Sequence, residues 1–150
     1  MFANSWKQGI FLKKTLKQLN VDSKLIKKVV VALYEAEVNI VAHAKEGEIE
    51  VTITPSEVKM VLKDEGKGIE DVELAMKEGF STASPSVRAM GFGAGMGLPN
   101  MKKNVDELRI DSKPGVGTTL TMIKLKHLGL SIGTFGYLFT LCLALGLVSY

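Results

Sequence analysis

Three groups of residues have the types and spacing for chemistry. The first is Glu35-Ala36-Glu37-Val38-Asn39. Glu35 and Asn39 lie four apart and share one face of a helix, and His43 joins them a turn further on. A carboxylate and an amide oxygen on one face can serve as general base and hard-cation ligand. Alone, the pattern better suits a solvated face, with His43 favoured by the dipole near the helix C-terminus. The second group is Asp64-Glu65-Gly66-Lys67-Gly68-Ile69. Its glycines let backbone approach a flat ligand, and its carboxylate can accept from an exocyclic amine. An ordinary Asp/Gly turn has the same composition. The third group is Gly91-Phe92-Gly93-Ala94-Gly95-Met96-Gly97-Leu98-Pro99-Asn100-Met101-Lys102-Lys103. Alternate glycines lead into a helix start, where free N–H groups and the positive helix end favour an anion. The run matches neither the Walker pattern nor G-x-G-x-x-G in any register.

These groups need elements to hold them. Apolar spacing predicts a short amphipathic helix over Ile10–Asn20 and a longer one over Ser23–Ala44, with a break and N-cap at Asn20-Val21-Asp22-Ser23 and a stop at Gly47. Alternation in Glu48–Thr54 and Glu57–Lys63 around Pro55-Ser56 predicts an antiparallel hairpin. A short helix is expected in Ile69–Glu78, then a long irregular stretch over Gly79–Gly97 of the kind that forms functional lids. Pro99–Asn104 suits a helix with Pro in its first turn. Strands follow in Glu107–Ser112 and Thr118–Lys126, joined by a turn at Lys113–Gly117. This order predicts an α+β sandwich with helices on one face of a mixed or antiparallel sheet.

Composition sets the outer limits. The 150 residues are 46% hydrophobic and 23% charged, which suits one folded domain with a real core. One cysteine excludes a disulfide framework and a Cys-based zinc site, and two histidines argue against a His-rich metal site. The net charge of +3 is too small to argue for a nucleic-acid partner. Lysines interrupt any signal-peptide core at the N-terminus.

Taken together and in this order, the groups resemble the GHKL superfamily of ATPases, which unites gyrase, a heat-shock chaperone, histidine kinases and MutL. Glu35-x-x-x-Asn39 resembles its N box. Asp64-x-Gly66-x-Gly68 and Gly93-x-Gly95-x-Gly97-Leu98 resemble its glycine boxes, and Gly115-Val116-Gly117-Thr118-Thr119 its closing element. Glu78-Gly79-Phe80-Ser81-Thr82, Gly95-Met96-Gly97-Leu98 and Asp106-Glu107 are similar to features of the anti-sigma-factor serine/threonine kinases. The resemblance covers about residues 10–126 and implies a Bergerat-type two-layer sandwich. It implies that Glu35 is the general base and that Asn39 holds Mg²⁺ between the phosphates of ATP. It implies that Asp64 receives the adenine amino group beside Thr118, with Gly66 and Gly68 letting the base lie against the chain. Gly93, Gly95, Gly97 and Leu98 would wrap the phosphates with Lys102. Ser81–Met90 would close as a lid bringing Arg88 towards the γ-phosphate.

The implied activity is phosphorylation of a serine on a small antagonist protein by a kinase that also binds a sigma factor or other regulatory protein. The alternatives are a non-catalytic ATP-dependent partner-binding switch and a detached histidine-kinase-like ATPase domain. Neither His43 nor His127 sits where a phospho-accepting helix would carry it. The resemblance also leads to an edge strand ahead of the first helix, where only Met1–Gln8 is available, so a homodimer through that edge stays open.

The chain divides into a domain over 1–126 and a tail over 127–150. All charges precede Leu128, and Leu128–Tyr150 is uncharged. Its 23 residues are long enough for a membrane-spanning helix, diluted by Ser131, Thr134, Thr140, Ser149 and four glycines. Lys124 and Lys126 ahead of it favour a cytoplasmic domain, anchored to the membrane if the tail spans it.

Overall fold

The computed structural model describes residues 5–85, 94–126 and 143–149. Helix α1 (Ser5–Gln18) turns at Asn20 into α2 (Ser23–His43). The Asp22 carboxylate caps α2 by accepting from the amides of Lys24 at 2.9 Å and Leu25 at 3.0 Å. Helix α2 ends directly in strand β1 (Ala44–Ile53), which hairpins into β2 (Glu57–Gly66). A single turn, α3 (Val72–Ala75), leads towards α4 (Gly97–Asn104). Strands β3 (Glu107–Lys113) and β4 (Gly117–Leu125) form the second hairpin, and β5 is Leu143–Ser149.

The helices and strands expected between residues 10 and 78 and between 99 and 126 are present, with shifted ends. Strand β1 starts four residues before Glu48, because the chain reverses at Ala44 without a loop. Strand β2 runs on to Gly66, so the Asp64-Glu65-Gly66 segment belongs to the sheet. The sheet order is β3-β4-β2-β1-β5, and every described pairing is antiparallel.

One face of the sheet is apolar, because strand side chains alternate. Ile49, Val51, Ile53, Val58, Met60, Leu62, Leu120 and Met122 are buried on it, while Lys59 and Lys63 are exposed. Leu25, Ile26, Val29, Ala32, Leu33, Ala36 and Ile40 of α2 join this core. Leu12 and Leu16 of α1 and Met101 of α4 complete it. Lys124 shares the buried face and is neutralised by Asp106 at 2.8 Å.

No strand precedes α1 among the described residues, since Ser5–Gln18 is helical. The edge of the sheet beside β1 is covered by β5, from Val51 opposite Leu143 to Glu46 opposite Ser149. This corrects the expectation of a helical span over 128–150 at its last third. An open β1 edge presents unpaired N–H and C=O groups, which a segment of β-competent apolar residues satisfies. Residues 127–142 and Tyr150 lie outside the described residues. Among those described, no helix is long and apolar enough to cross a membrane.

Glu37 departs from the polar face that its neighbours suggest. It points to the core side of α2, is only 5% exposed, and its Oε1 has no hydrogen-bond partner among the described residues. Burial pushes its pKa up to about 8. The folded state therefore holds a proton that the unfolded chain releases near the ordinary value of 4.5. This contribution to stability is complete below that value and is lost as pH rises through about 8. Glu37→Gln should thus gain stability over the parent progressively as pH rises, read from urea midpoints at about pH 5 and about pH 8. A difference between variant and parent that is constant across this interval would contradict the assignment.

Candidate functional site

A cleft of about 560 Å³ opens between α2, the ends of β2 and β4, the α3 region and the start of α4. Helix α2 supplies Tyr34, Glu35, Val38, Asn39 and His43 to its wall, one face of the helix that packs its other face into the core. The expected pairing of Glu35 and Asn39 is therefore realised. Burial, and next the charge of Lys67, hold the His43 pKa below its ordinary value, which favours the neutral ring.

Asp64 lines the cleft where β2 ends. Its Oδ1 accepts from the amide of Gly66 at 2.9 Å and from that of Thr118 at 3.2 Å. Burial raises its pKa, against the opposing effect of those two amides. The two amides engage only one oxygen, and no hydrogen bond among the described residues engages Oδ2. Thr118 Oγ1 lies 2.8 Å from Ser112 Oγ, which also accepts from the Ile69 amide at 2.8 Å. A polar chain thus runs from Asp64 through Thr118 and Ser112 to the loop after β2.

Gly117 makes that contact possible. Its φ is +148°, and a Cβ there would sit 2.0 Å from the Asp64 carbonyl oxygen. At the other end of the cleft, a Cβ on Gly97 would come within 3.0 Å of Asn39 Oδ1, so the start of α4 lies against the Asn39 amide. Gly68, Gly95, Gly97 and Leu98 all line the cleft, whereas Gly66 serves it by donating to Asp64.

Two groups missed in the sequence support the wall. Asn100 of α4 donates to Glu35 Oε1 at 2.8 Å and fixes the carboxylate. Lys67 donates to Thr82 O at 3.3 Å and Thr82 Oγ1 at 3.1 Å, tying the loop after β2 to the start of the expected lid. Asn100 lies within the glycine-rich run, but spacing does not reveal a partner 65 residues away. Lys102 is exposed and does not line the cleft, and Lys103 pairs with Glu78 at 2.6 Å. Arg88, Gly93 and the lid segment 86–90 lie outside the described residues.

A glycine-flanked cleft with one carboxylate at the sheet end and an amide oxygen at the helix-start end suits a nucleotide. The sequence profile of the histidine kinase-like ATPase domain matches residues 10–124. The chain belongs to the histidine kinase-like ATPase domain family. Such an ATPase domain implies the use of ATP. The chain is 38% identical over 112 residues to the anti-sigma F factor of Caldanaerobacter subterraneus subsp. tengcongensis, covering 71% of this chain and 75% of that protein. It is 32% identical over 101 residues to the serine/threonine-protein kinase RsbT of Bacillus subtilis, covering 65% of this chain and 70% of that one. In fold it is similar to the mycobacterial sensor histidine kinase MprB, with a TM-score of 0.50, 22% identity and coverage of 67% and 72% respectively.

Gly117→Ala should lower the unfolding free energy by about 1–3 kcal/mol, because the new Cβ drives β4 from the end of β2. Gly9→Ala is the control. It lies within α1, its Cβ would meet only Val30 Cγ1 at 4.0 Å, and the better helix former should leave stability equal or higher. Equal urea midpoints for parent and Gly117→Ala would refute the packing argument.

Proposed function

We propose that the protein is an ATP- and Mg²⁺-dependent serine/threonine kinase of the anti-sigma type. It would phosphorylate a serine of a small antagonist protein and bind a sigma factor or related regulator in the cytoplasm. The observation that carries this reading is the Glu35 carboxylate in the cleft wall, one helical turn from Asn39 and oriented by Asn100. The likeness to an anti-sigma F factor and to a serine/threonine-protein kinase supports the same reading.

ATP would supply the transferable phosphoryl group, and Mg²⁺ would neutralise its developing charge. The donor set fits such a metal. No group of three or more His, Cys, Asp or Glu side chains gathers among the described residues, and Mg²⁺ bound through phosphates needs few protein ligands. Asn39 offers one amide oxygen for it. Asp64 Oδ2 would accept from the adenine amino group, while Oδ1 stays committed to Gly66 and Thr118. Gly95 and Gly97 leave the cleft open to phosphates at the start of α4. Gly93 and Arg88 would add to this from the lid, and Lys102 would have to turn inward to do so. Glu35 would take the proton of the incoming serine hydroxyl.

A second reading is a nucleotide-dependent switch without transfer, in which nucleotide binding only changes partner affinity. It draws on the Asn100 contact, which gives Glu35 a structural task linking α2 to α4.

Asp64→Asn should keep the Oδ1 contacts and lose only the free acceptor. ATP affinity should then fall by about 1.5–3 kcal/mol, the scale of a hydrogen bond to a charged group, with thermal stability held. Calorimetric titration that returns the parent affinity would remove adenine from this position.

Glu35→Ala and Asn39→Ala should differ from each other. The first should retain Mg·ATP binding and lose about 10²–10⁴-fold in transfer to an antagonist serine, or less if the proton departs late. The second should lose Mg²⁺-dependent affinity and transfer together. Radiolabel transfer by Glu35→Ala at the parent rate, or none by the parent, would favour the switch.

A further inference from the structure

The small net charge conceals a strong polarity. Residues 1–34 hold seven lysines and one acid, Asp22, a net of +6, while the other 116 residues hold twelve basic and fifteen acidic groups, a net of −3. Residues 5–34 build α1 and the first half of α2, whose second half carries Glu35 and Glu37. Lys13, Lys14, Lys17, Lys24, Lys27 and Lys28 are all exposed, and no ion pair among the described residues engages them. The single acid is spent on the N-cap of α2.

Apolar side chains are set among these lysines. Ile10 is 65% exposed, Phe11 44% and Leu19 49%. On α1, Leu12, Thr15 and Leu16 face the core. Ile10, Lys14 and Lys17 follow at i, i+4 and i+7 on the outward side, with Phe11 one turn before Lys14. None of these residues lines the nucleotide cleft.

We propose that the outer face of the α1–α2 hairpin docks on an anionic phospholipid surface, with Ile10 and Phe11 entering the headgroup boundary and the lysines meeting the lipid charges. Lysine chemistry favours lipid over the other polyanions. The patch contains no arginine, the residue preferred for forked recognition of carboxylate or nucleic-acid phosphate. Protein interfaces are depleted in lysine. A fluid layer of headgroups needs no fixed geometry, and long lysine stems can reach it while the apolar side chains insert. The docked face leaves the cleft open to nucleotide. The proposal is independent of whether transfer occurs in that cleft.

The test is co-sedimentation of the full chain with phosphatidylcholine vesicles, with and without about 30 mol% phosphatidylserine, at about 0.15 M salt. Binding should be at least about tenfold tighter to the anionic vesicles and fall with added salt. Each lysine near such a surface contributes a factor of roughly five, so Lys13→Glu/Lys14→Glu/Lys17→Glu should weaken binding by roughly a hundredfold or more. Ile10→Ser/Phe11→Ser should also weaken it while leaving the charge intact. Both variants should keep the parent circular dichroism and nucleotide affinity. Equal binding to neutral vesicles, or a charge-reversal variant that binds like the parent, overturns the proposal and moves membrane contact to the apolar tail. Binding to polyglutamate but not to vesicles also overturns it and assigns the patch to an acidic protein. Binding to neither refutes it.

Discussion

Helix α2 must satisfy two surfaces at once, and that constraint organises the molecule. Leu25, Ile26, Val29, Ala32, Leu33, Ala36 and Ile40 fix one side on the sheet. Glu35, Asn39 and His43 are then forced onto the cleft side. At 3.6 residues per turn, a one-residue slip would rotate the helix by about 100° and exchange these roles. The Asp22 cap and the immediate turn into β1 hold both ends against such a slip. Packing thus determines where the polar wall stands, and Asn100 sets the direction of the Glu35 carboxylate within it.

The opposite wall rests on Asp64. Its Oδ1 joins the end of β2 to the start of β4, and Gly117 lets the two backbones come close enough for it. Ser112 and Thr118 extend the same polar chain to Ile69, so the loop after β2 is held at several points. A carboxylate used in this way is already oriented before any ligand arrives. Preorganisation of this kind lowers the cost of binding, because little is left to order.

Charge is arranged on a larger scale than either wall. The acidic excess lies after residue 34, in the part of the chain that builds the sheet and much of the cleft, and a basic excess lies in residues 1–34. A whole-molecule net charge averages these away. The field that a partner meets is set by which face it approaches.

Local structure was legible in the order of the residues alone. The α2 periodicity, the Asp22 cap, the alternation of β2 and β4, and the Glu35–Asn39 pair are each written within about one or two turns or one strand. The fold class and the family-like order of motifs followed from them. Long-range contacts were not legible. Asn100 with Glu35, Thr82 with Lys67, and Ser112 with Ile69 join residues 65, 15 and 43 positions apart. Lys102 is adjacent to glycines that line the cleft, yet it turns outward while Lys103 meets Glu78. Glu37 shares a segment with Glu35 but faces the core, and β5 finds its place only because β1 leaves an edge to be paired. Spacing fixes which residues share a face. Which face is buried, and against what, is decided only when separate elements pack and compete for the same apolar surface and the same backbone partners.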